Sequence, residues 1–255
     1  MKSSRSNPIP ITLSESDGIR CLHFGSPWVQ GAMRISKPEV LVLEYVRRMM
    51  GWLLFLEPPK RILQLGLGAG SLTRYSLARF PDSRVTVVEI GAEVIETAHD
   101  WFALPRDQAR LEIVQADAGD FLEHCAEHGQ YGVVQVDLYD MHARGPVLDS
   151  LAFYRACRKV LAEPGICVIN LFGEHETFAP NLDRIARAFD ERMFAMPPTA
   201  EGNRIVFAFN GPMLSVPWQT LLQREAVLQR DYQLRSGPWI RDIRKAFGDA
   251  GVFSI

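Results

Sequence analysis

From Arg61 to Phe172 the chain alternates short apolar runs with amphipathic ones, and this alternation constrains the fold more than any other feature. Strand-like runs stand at 61–65 (RILQL), 84–89 (RVTVVE), 110–115 (RLEIVQ), 131–137 (YGVVQVD) and 165–172 (GICVINLF). Helical stretches such as SLTRYSLARF and AEVIETAHDWF lie between them. Strands that alternate with helices are joined by crossovers, so they build a parallel sheet covered by helices on both faces. After a further helix, RMFAMP and NRIVFAFN read as two final strands linked by the turn-rich PTAEG. A link of about six residues is too short for a parallel crossover, so this last pair is expected to be antiparallel. The expectation is an α/β fold with a Rossmann-like, seven-stranded sheet.

Upstream, ITLSE, the turn SDG and IRCLHFG read as a hairpin, with WVQGAMRI as a third strand. Residues 1–37 are therefore expected to form a small N-terminal β region and residues 38–255 the main domain, with the first seven residues disordered. Pro38 is expected to open a long amphipathic helix carrying Val42, Tyr45, Val46 and Met49, ended by EPPK. The tail from Pro217 reads as helical and broken at SGP. Trp28 and Trp52 are expected in the core.

A formal net charge of −2 argues against a nucleic-acid partner. The apolar run MMGWLLFL is too short to span a bilayer and the N-terminus has no apolar leader, so no membrane partner is expected. Four cysteines without disulfide or metal spacing suit a cytoplasmic protein. His124 and His128 in HCAEH stand four apart, expected on one helix face, but no third ligand is evident and no metal is expected.

Chemistry concentrates at the ends of the predicted strands. Gly66, Gly68 and Gly70 follow the first strand of the alternation and precede a helix, where glycines let a ligand approach the backbone. Glu89 ends the second strand, nineteen positions after Gly70, where a carboxylate can bind ribose hydroxyls. Asp117 follows the third strand and could accept from an adenine amino group. Asp137, Tyr139 and Asp140 follow the fourth. Ligands of open α/β sheets bind beyond these carboxyl ends, so the set indicates a nucleoside site. The spacing G-x-G-x-G is not the dinucleotide fingerprint, and no Lys-Ser or Lys-Thr pair follows to make a phosphate-binding loop.

The pattern with its final antiparallel pair resembles the S-adenosylmethionine-dependent methyltransferase fold. Within it, VQGAMR, LGLGAG, VVEIGAEVIETA, QADAGDFL, YGVVQVDLYD and the Gly-Pro at 145–146 resemble the spermidine synthase family of polyamine aminopropyltransferases, over about residues 17–210. The resemblance implies decarboxylated S-adenosylmethionine as co-substrate, with Glu89 on the ribose, and Asp117 and Ala118 on the adenine. It further implies Gln30 on the nucleoside or its tail and Asp137 as the catalytic carboxylate. Tyr139 and Asp140 would face a small amine or polyamine acceptor. It also implies a homodimer, which the few N-terminal strands with an unpaired edge independently invite. Three departures stand out. The family's glycine turn carries an aspartate for the ammonium of the decarboxylated donor, and here that position is Ala69. The family's Asp-Glu with a following tyrosine is here KPEVLVLEY, retaining Glu39 and Glu44 but placing an aliphatic residue at the usual tyrosine. DLYD stands for the usual Asp-Ser-x-Asp and keeps both carboxylates. Intact S-adenosylmethionine in a methyl transfer, or nucleoside binding without turnover, are the alternative readings.

Overall fold

The computed structural model describes residues 10–106, 109–139, 148–172, 178–248 and 251–255. Asp140, the Gly-Pro at 145–146, GEHE at 173–176 and the first seven residues lie outside the described residues. At the N-terminus, β1 (Ile11–Ser16), β2 (Ile19–Phe24) and β3 (Gly31–Arg34) form an antiparallel three-stranded sheet. Its turn is set by Asp17 and Gly18, both at positive φ.

The helix expected from Pro38 is shorter than its apolar spacing suggests: α1 covers only Glu44–Arg48, followed by a 3-10 turn at Gly51–Leu54. The carbonyls of Pro38, Leu41 and Val42 are used otherwise. Pro38 O accepts from Arg74 Nε at 2.9 Å, and Leu41 O and Val42 O accept from Arg47 Nη1. Those bonds hold 38–43 as an irregular segment that delivers Tyr45 to the sheet edge.

The main sheet follows with β4 (Arg61–Leu65), α2 (Ser71–Arg79), β5 (Arg84–Glu89), α3 (Ala92–Trp101), β6 (Leu111–Gln115), α4 (Ala118–His124) and β7 (Tyr131–Val136). Then come α5 (Leu151–Val160), β8 (Leu161–Phe172), α6 (Phe178–Ala188), β9 (Met193–Ala195) and β10 (Asn203–Asn210). Strand order is β6-β5-β4-β7-β8-β10-β9. The first five run parallel, and β10 pairs antiparallel with both β8 and β9. This is the expected seven-stranded Rossmann-like sheet of methyltransferase type, antiparallel pair included. β8 starts four residues earlier than the sequence suggests, directly after α5, because Tyr131 pairs with Leu161 before the register shifts.

The central strands are apolar on both faces, as strands covered by helices must be. Ile62, Leu63, Leu65, Val133, Val134 and Val136 are fully buried. Two buried polar side chains interrupt them and satisfy each other: Gln64 Nε2 donates to Gln135 Oε1 at 3.0 Å, and Thr73 Oγ1 donates to Gln64 Oε1 at 2.7 Å. The N-terminal sheet shares a core with the main one, Leu22, Phe24 and Met33 packing with Leu67, Val85, Val87 and Ala98. At the other end β11 (Ser215–Pro217), α7 (Trp218–Tyr232), α8 (Gly237–Phe247) and β12 (Val252–Ser254) close over the aromatic core around Phe55, Phe194 and Phe209. The break between α7 and α8 precedes SGP, which opens α8.

Two local expectations are corrected. α4 ends at His124, whose Nδ1 bonds the Asp120 carbonyl, and Cys125 adopts extended backbone, so His128 does not share a helix face with it. Trp52 is fully buried, but Trp28 is 56% exposed. Among the described residues, no helix is long and apolar enough to cross a membrane, and no group of three His, Cys, Asp or Glu is placed to hold a metal.

Candidate active site

A cavity of about 360 Å³ opens at the carboxyl ends of β4, β5, β6 and β7. Its lining includes Gln30, Gly66, Gly68, Ala69, Glu89, Asp117, Ala118, Asp137 and Tyr139, so the structure brings together nearly all the residues singled out from the sequence. Among the described residues Gly70 is the exception. It lies outside the lining, caps α2 at φ 67°, and a side chain there would press on Arg74 Nη1 and Leu104.

Gly66 is required by its neighbours. At φ 96°, a Cβ on it would fall 2.2 Å from the Asp137 carbonyl oxygen. The glycine turn after β4 and the acid after β7 are thus packed backbone to backbone, with Asp137 N donating to Leu65 O at 2.9 Å. Any side chain at 66 would displace the segment that carries Asp137. A similar close approach joins the N-terminal sheet to the turn, since a Cβ on Gly31 would meet that of Ala69 at 2.5 Å.

The acids are held differently. Glu89, nearly buried, accepts from Leu67 N at 2.9 Å through Oε2 and from Gly91 N at 2.8 Å through Oε1. Burial pushes its pKa up, and these backbone bonds pull against the rise. Asp117 is the N-cap of α4, its Oδ1 accepting from Gly119 N at 2.7 Å and Asp120 N at 3.1 Å. Asp137 is held by side chains: Asn170 Nδ2 donates to Oδ1 at 2.9 Å, and the Tyr45 hydroxyl donates to Oδ2 at 3.5 Å. Burial raises the Asp137 pKa to about 6 against the lowering effect of those two bonds.

A second cavity of about 280 Å³ abuts the first and shares Gln30, Tyr45 and Tyr139 as common wall. Trp28, Leu43, Asn170, Phe172, Glu201 and Asn203 also line it. Phe172 meets Trp28 and Tyr139 edge-on, at ring separations of 5.8 and 6.3 Å. Gln30 Nε2 is buried in this wall without a protein acceptor, an orphan donor that a ligand can satisfy. Burial and the nearby Asp137 carboxylate push the hydroxyl pKa values of Tyr45 and Tyr139 well up, so both stay protonated donors.

Sequence reading passed over Tyr45, taken as one apolar position of a helix, and Asn170. The signal for Asn170 is a lone amide within the apolar run GICVINLF, because a buried amide needs partners.

Comparison with known proteins identifies the family. The chain is 32% identical over 235 residues to a polyamine aminopropyltransferase of Chromobacterium violaceum, covering 92% of this chain and 89% of the relative. It is 33% identical to one of Neisseria meningitidis serogroup A with the same coverage. Among solved structures, a probable spermidine synthase of Corynebacterium glutamicum superimposes with TM-score 0.71 at 22% identity, over 91% of this chain and 88% of that one. Human methyltransferase-like protein 13, solved with SAH, superimposes with TM-score 0.63 at 23% identity, over 75% and 93% of the two chains. At such identities these structures speak for the fold alone. The family model for the spermine/spermidine synthase domain matches residues 43–218, the stretch that holds the sheet and all of the strand-end acids. The chain therefore belongs to the spermine/spermidine synthase family.

Proposed function

We propose that this chain is an aminopropyltransferase, moving a three-carbon amine from the sulfonium of a 5′-thioadenosine nucleoside to a small amine or polyamine. The observation that carries this reading is Asp137, a half-buried carboxylate on the wall of the strand-end cavity whose hydroxyl partner, Tyr45, also lines the cavity beside it. One cavity suits a nucleoside, with Glu89 for ribose hydroxyls and Asp117 and Ala118 for the adenine. The other, walled by Trp28, Tyr139 and Phe172 with Glu201 at its rim, suits an apolar chain ending in a cation. The acceptor nitrogen attacks the carbon bonded to sulfur. The carbon–sulfur bond breaks with its electron pair passing to sulfur, so methylthioadenosine leaves and the nitrogen keeps the new bond. The acceptor arrives protonated, with a pKa of roughly 10 as for a lysine amine, and Asp137 accepts the proton lost. We place the enzyme in the cytoplasm, consistent with its free cysteines, as a homodimer associating through the N-terminal sheet.

A second reading, methyl transfer from intact S-adenosylmethionine, draws support from one feature. Ala69 leaves the turn without an acid, and behind it the buried guanidinium of Arg74 donates to the Ala69 carbonyl. Burial lowers the Arg74 pKa only to about 10, so it stays charged, and this wall tolerates a ligand carboxylate. Product analysis separates the two readings. With putrescine, aminopropyl transfer from the decarboxylated donor releases methylthioadenosine, and methyl transfer from the intact donor releases S-adenosylhomocysteine. Release of S-adenosylhomocysteine alone would overturn the first reading. Ala69→Asp is expected to shift preference toward the decarboxylated donor by about 1–3 kcal/mol, read by competition between the two donors.

A further inference from the structure

Asp137 is the half-buried end of a chain of side-chain hydrogen bonds that runs into the core and that the proposed chemistry does not by itself require. Asn170, in β8, gives its Nδ2 to Asp137 Oδ1. Its Oδ1 accepts from Asn203 Nδ2 at 3.1 Å, and its backbone carbonyl accepts from the Tyr139 hydroxyl at 2.9 Å. Asn203, at the start of β10, is pinned in turn: its N–H donates to Thr199 Oγ1 at 3.2 Å, and its carbonyl accepts from Thr199 N at 2.8 Å. Both asparagines are buried and line the second cavity.

An asparagine amide can turn either edge toward a carboxylate, and only its NH₂ edge is useful there. Asn203 removes the choice. By donating to Asn170 Oδ1, it leaves Asn170 only its NH₂ to offer Asp137. The antiparallel register makes this possible, because β10 runs beside β8 and brings the two amides together from positions 33 apart.

We propose that Asn170 is a positioning residue for the transfer reaction, holding the Asp137 carboxylate ionised and aimed at the acceptor nitrogen, with Asn203 fixing the direction of the Asn170 amide. This rests on the reading of Asp137 as the proton acceptor. Among the described residues, the other titratable groups facing Asp137 are Tyr45, from α1, and Tyr139, which follows β7, while Glu201 acts on Tyr45 from the β9–β10 loop. None of them is a cation. The amide edge of Asn170 is thus the main neutral donor favouring the charged carboxylate, and its loss moves the Asp137 titration upward.

The test is a set of pH–rate profiles for wild type, Asn170→Leu, Asn203→Ala and Asp137→Asn, with methylthioadenosine affinity measured alongside by calorimetry. Asn170→Leu is expected to keep nucleoside affinity within about twofold. Its acceptor kcat/KM should fall at least about tenfold, with the acid limb displaced upward by about one pH unit. Asn203→Ala is expected to move the same limb in the same direction by less. Infrared titration of the Asp137 carboxyl should show the same displacement. An acid limb that stays put in Asn170→Leu, or in Asn203→Ala where the leucine variant does not fold, would reduce the amide pair to packing and overturn the proposal. Full activity in Asp137→Asn would instead remove the base assignment itself, a distinct failure that takes the positioning role with it.

Discussion

The two sides of the site hold their carboxylates by opposite means. On the side proposed for the nucleoside, Glu89 and Asp117 are gripped by backbone N–H groups within three residues of themselves, with one more bond to Glu89 from the glycine turn. Asp137, the proposed proton acceptor, is gripped by side chains 33 and 92 positions away. Backbone donors come with the strand-to-helix turn and survive most substitutions nearby. Side-chain donors belong to particular residues of remote elements, so they can be changed one at a time. The first arrangement makes a robust binding surface. The second makes a carboxylate whose ionisation is adjustable, which suits a group that must gain and lose a proton.

The largest expected effect falls on the adjustable side. Asp137→Asn keeps the shape and can still take the Asn170 bond through its carbonyl oxygen, but it cannot accept a proton. Turnover should fall by about 10²- to 10⁴-fold, the usual span for losing a general base, while methylthioadenosine binds nearly as before. Stopped assays of methylthioadenosine release measure the first quantity and calorimetry the second. A parallel collapse of nucleoside affinity would erase the division between the two sides.

Glu89→Ala tests the robust side. A charged hydrogen-bond acceptor lost from the ribose position should cost about 1.5–3 kcal/mol of nucleoside binding. The substitution also frees the N–H groups of Leu67 and Gly91, so a loss at the upper end is expected. Unchanged methylthioadenosine affinity in a folded Glu89→Ala protein would separate this acid from the ligand.

The same contrast has a signature in stability. The Asp137 carboxyl has a folded-state pKa of about 6, against about 3.9 in an unfolded chain. Between those values the unfolded state releases its proton first, so stability drops as pH rises from about 4 to 6 and stays lower above. That rise corresponds to about 2–3 kcal/mol. Asp137→Asn should therefore be more stable than wild type at pH 7.5 by an amount of that order, and the gain should vanish below pH 4. Denaturant melts at the two pH values check it. A variant that is destabilised at both would show that the carboxylate is fully paid for by Asn170 and Tyr45.

This contrast also explains what could be read from the sequence. Glu89 and Asp117 were legible because their surroundings are local: an apolar run, then an acid, then the start of a helix. The sheet was legible for the same reason, its strands being continuous apolar runs, and even the antiparallel end followed from the length of one loop. Tyr45 was not, because its hydroxyl partner lies 92 positions on and its own neighbours read as an amphipathic helix. That helix itself fell short, since Arg47 and Arg74 take the carbonyls that would have extended it. Asn170 and Asn203 looked like polar residues within or beside apolar strands, and only the β8–β10 register gives them to each other.

The smallest effect is expected at Asp117, where fold and ligand make separate claims on one carboxylate. Both recorded bonds fall on Oδ1, which caps α4, leaving Oδ2 for the adenine amino group in the proposed complex. Asparagine caps helices about as well as aspartate, while alanine does not, so the two substitutions divide the roles. Asp117→Ala should cost about 1 kcal/mol of stability in denaturant melts, and Asp117→Asn only a few tenths. Nucleoside affinity should fall in both variants, by about 1 kcal/mol or less in the asparagine protein, whose amide oxygen can serve either the cap or the adenine. If affinity instead tracks stability across the two variants, Asp117 serves the helix alone, and the adenine is held by the apolar wall at Ala116, Ala118 and Leu148.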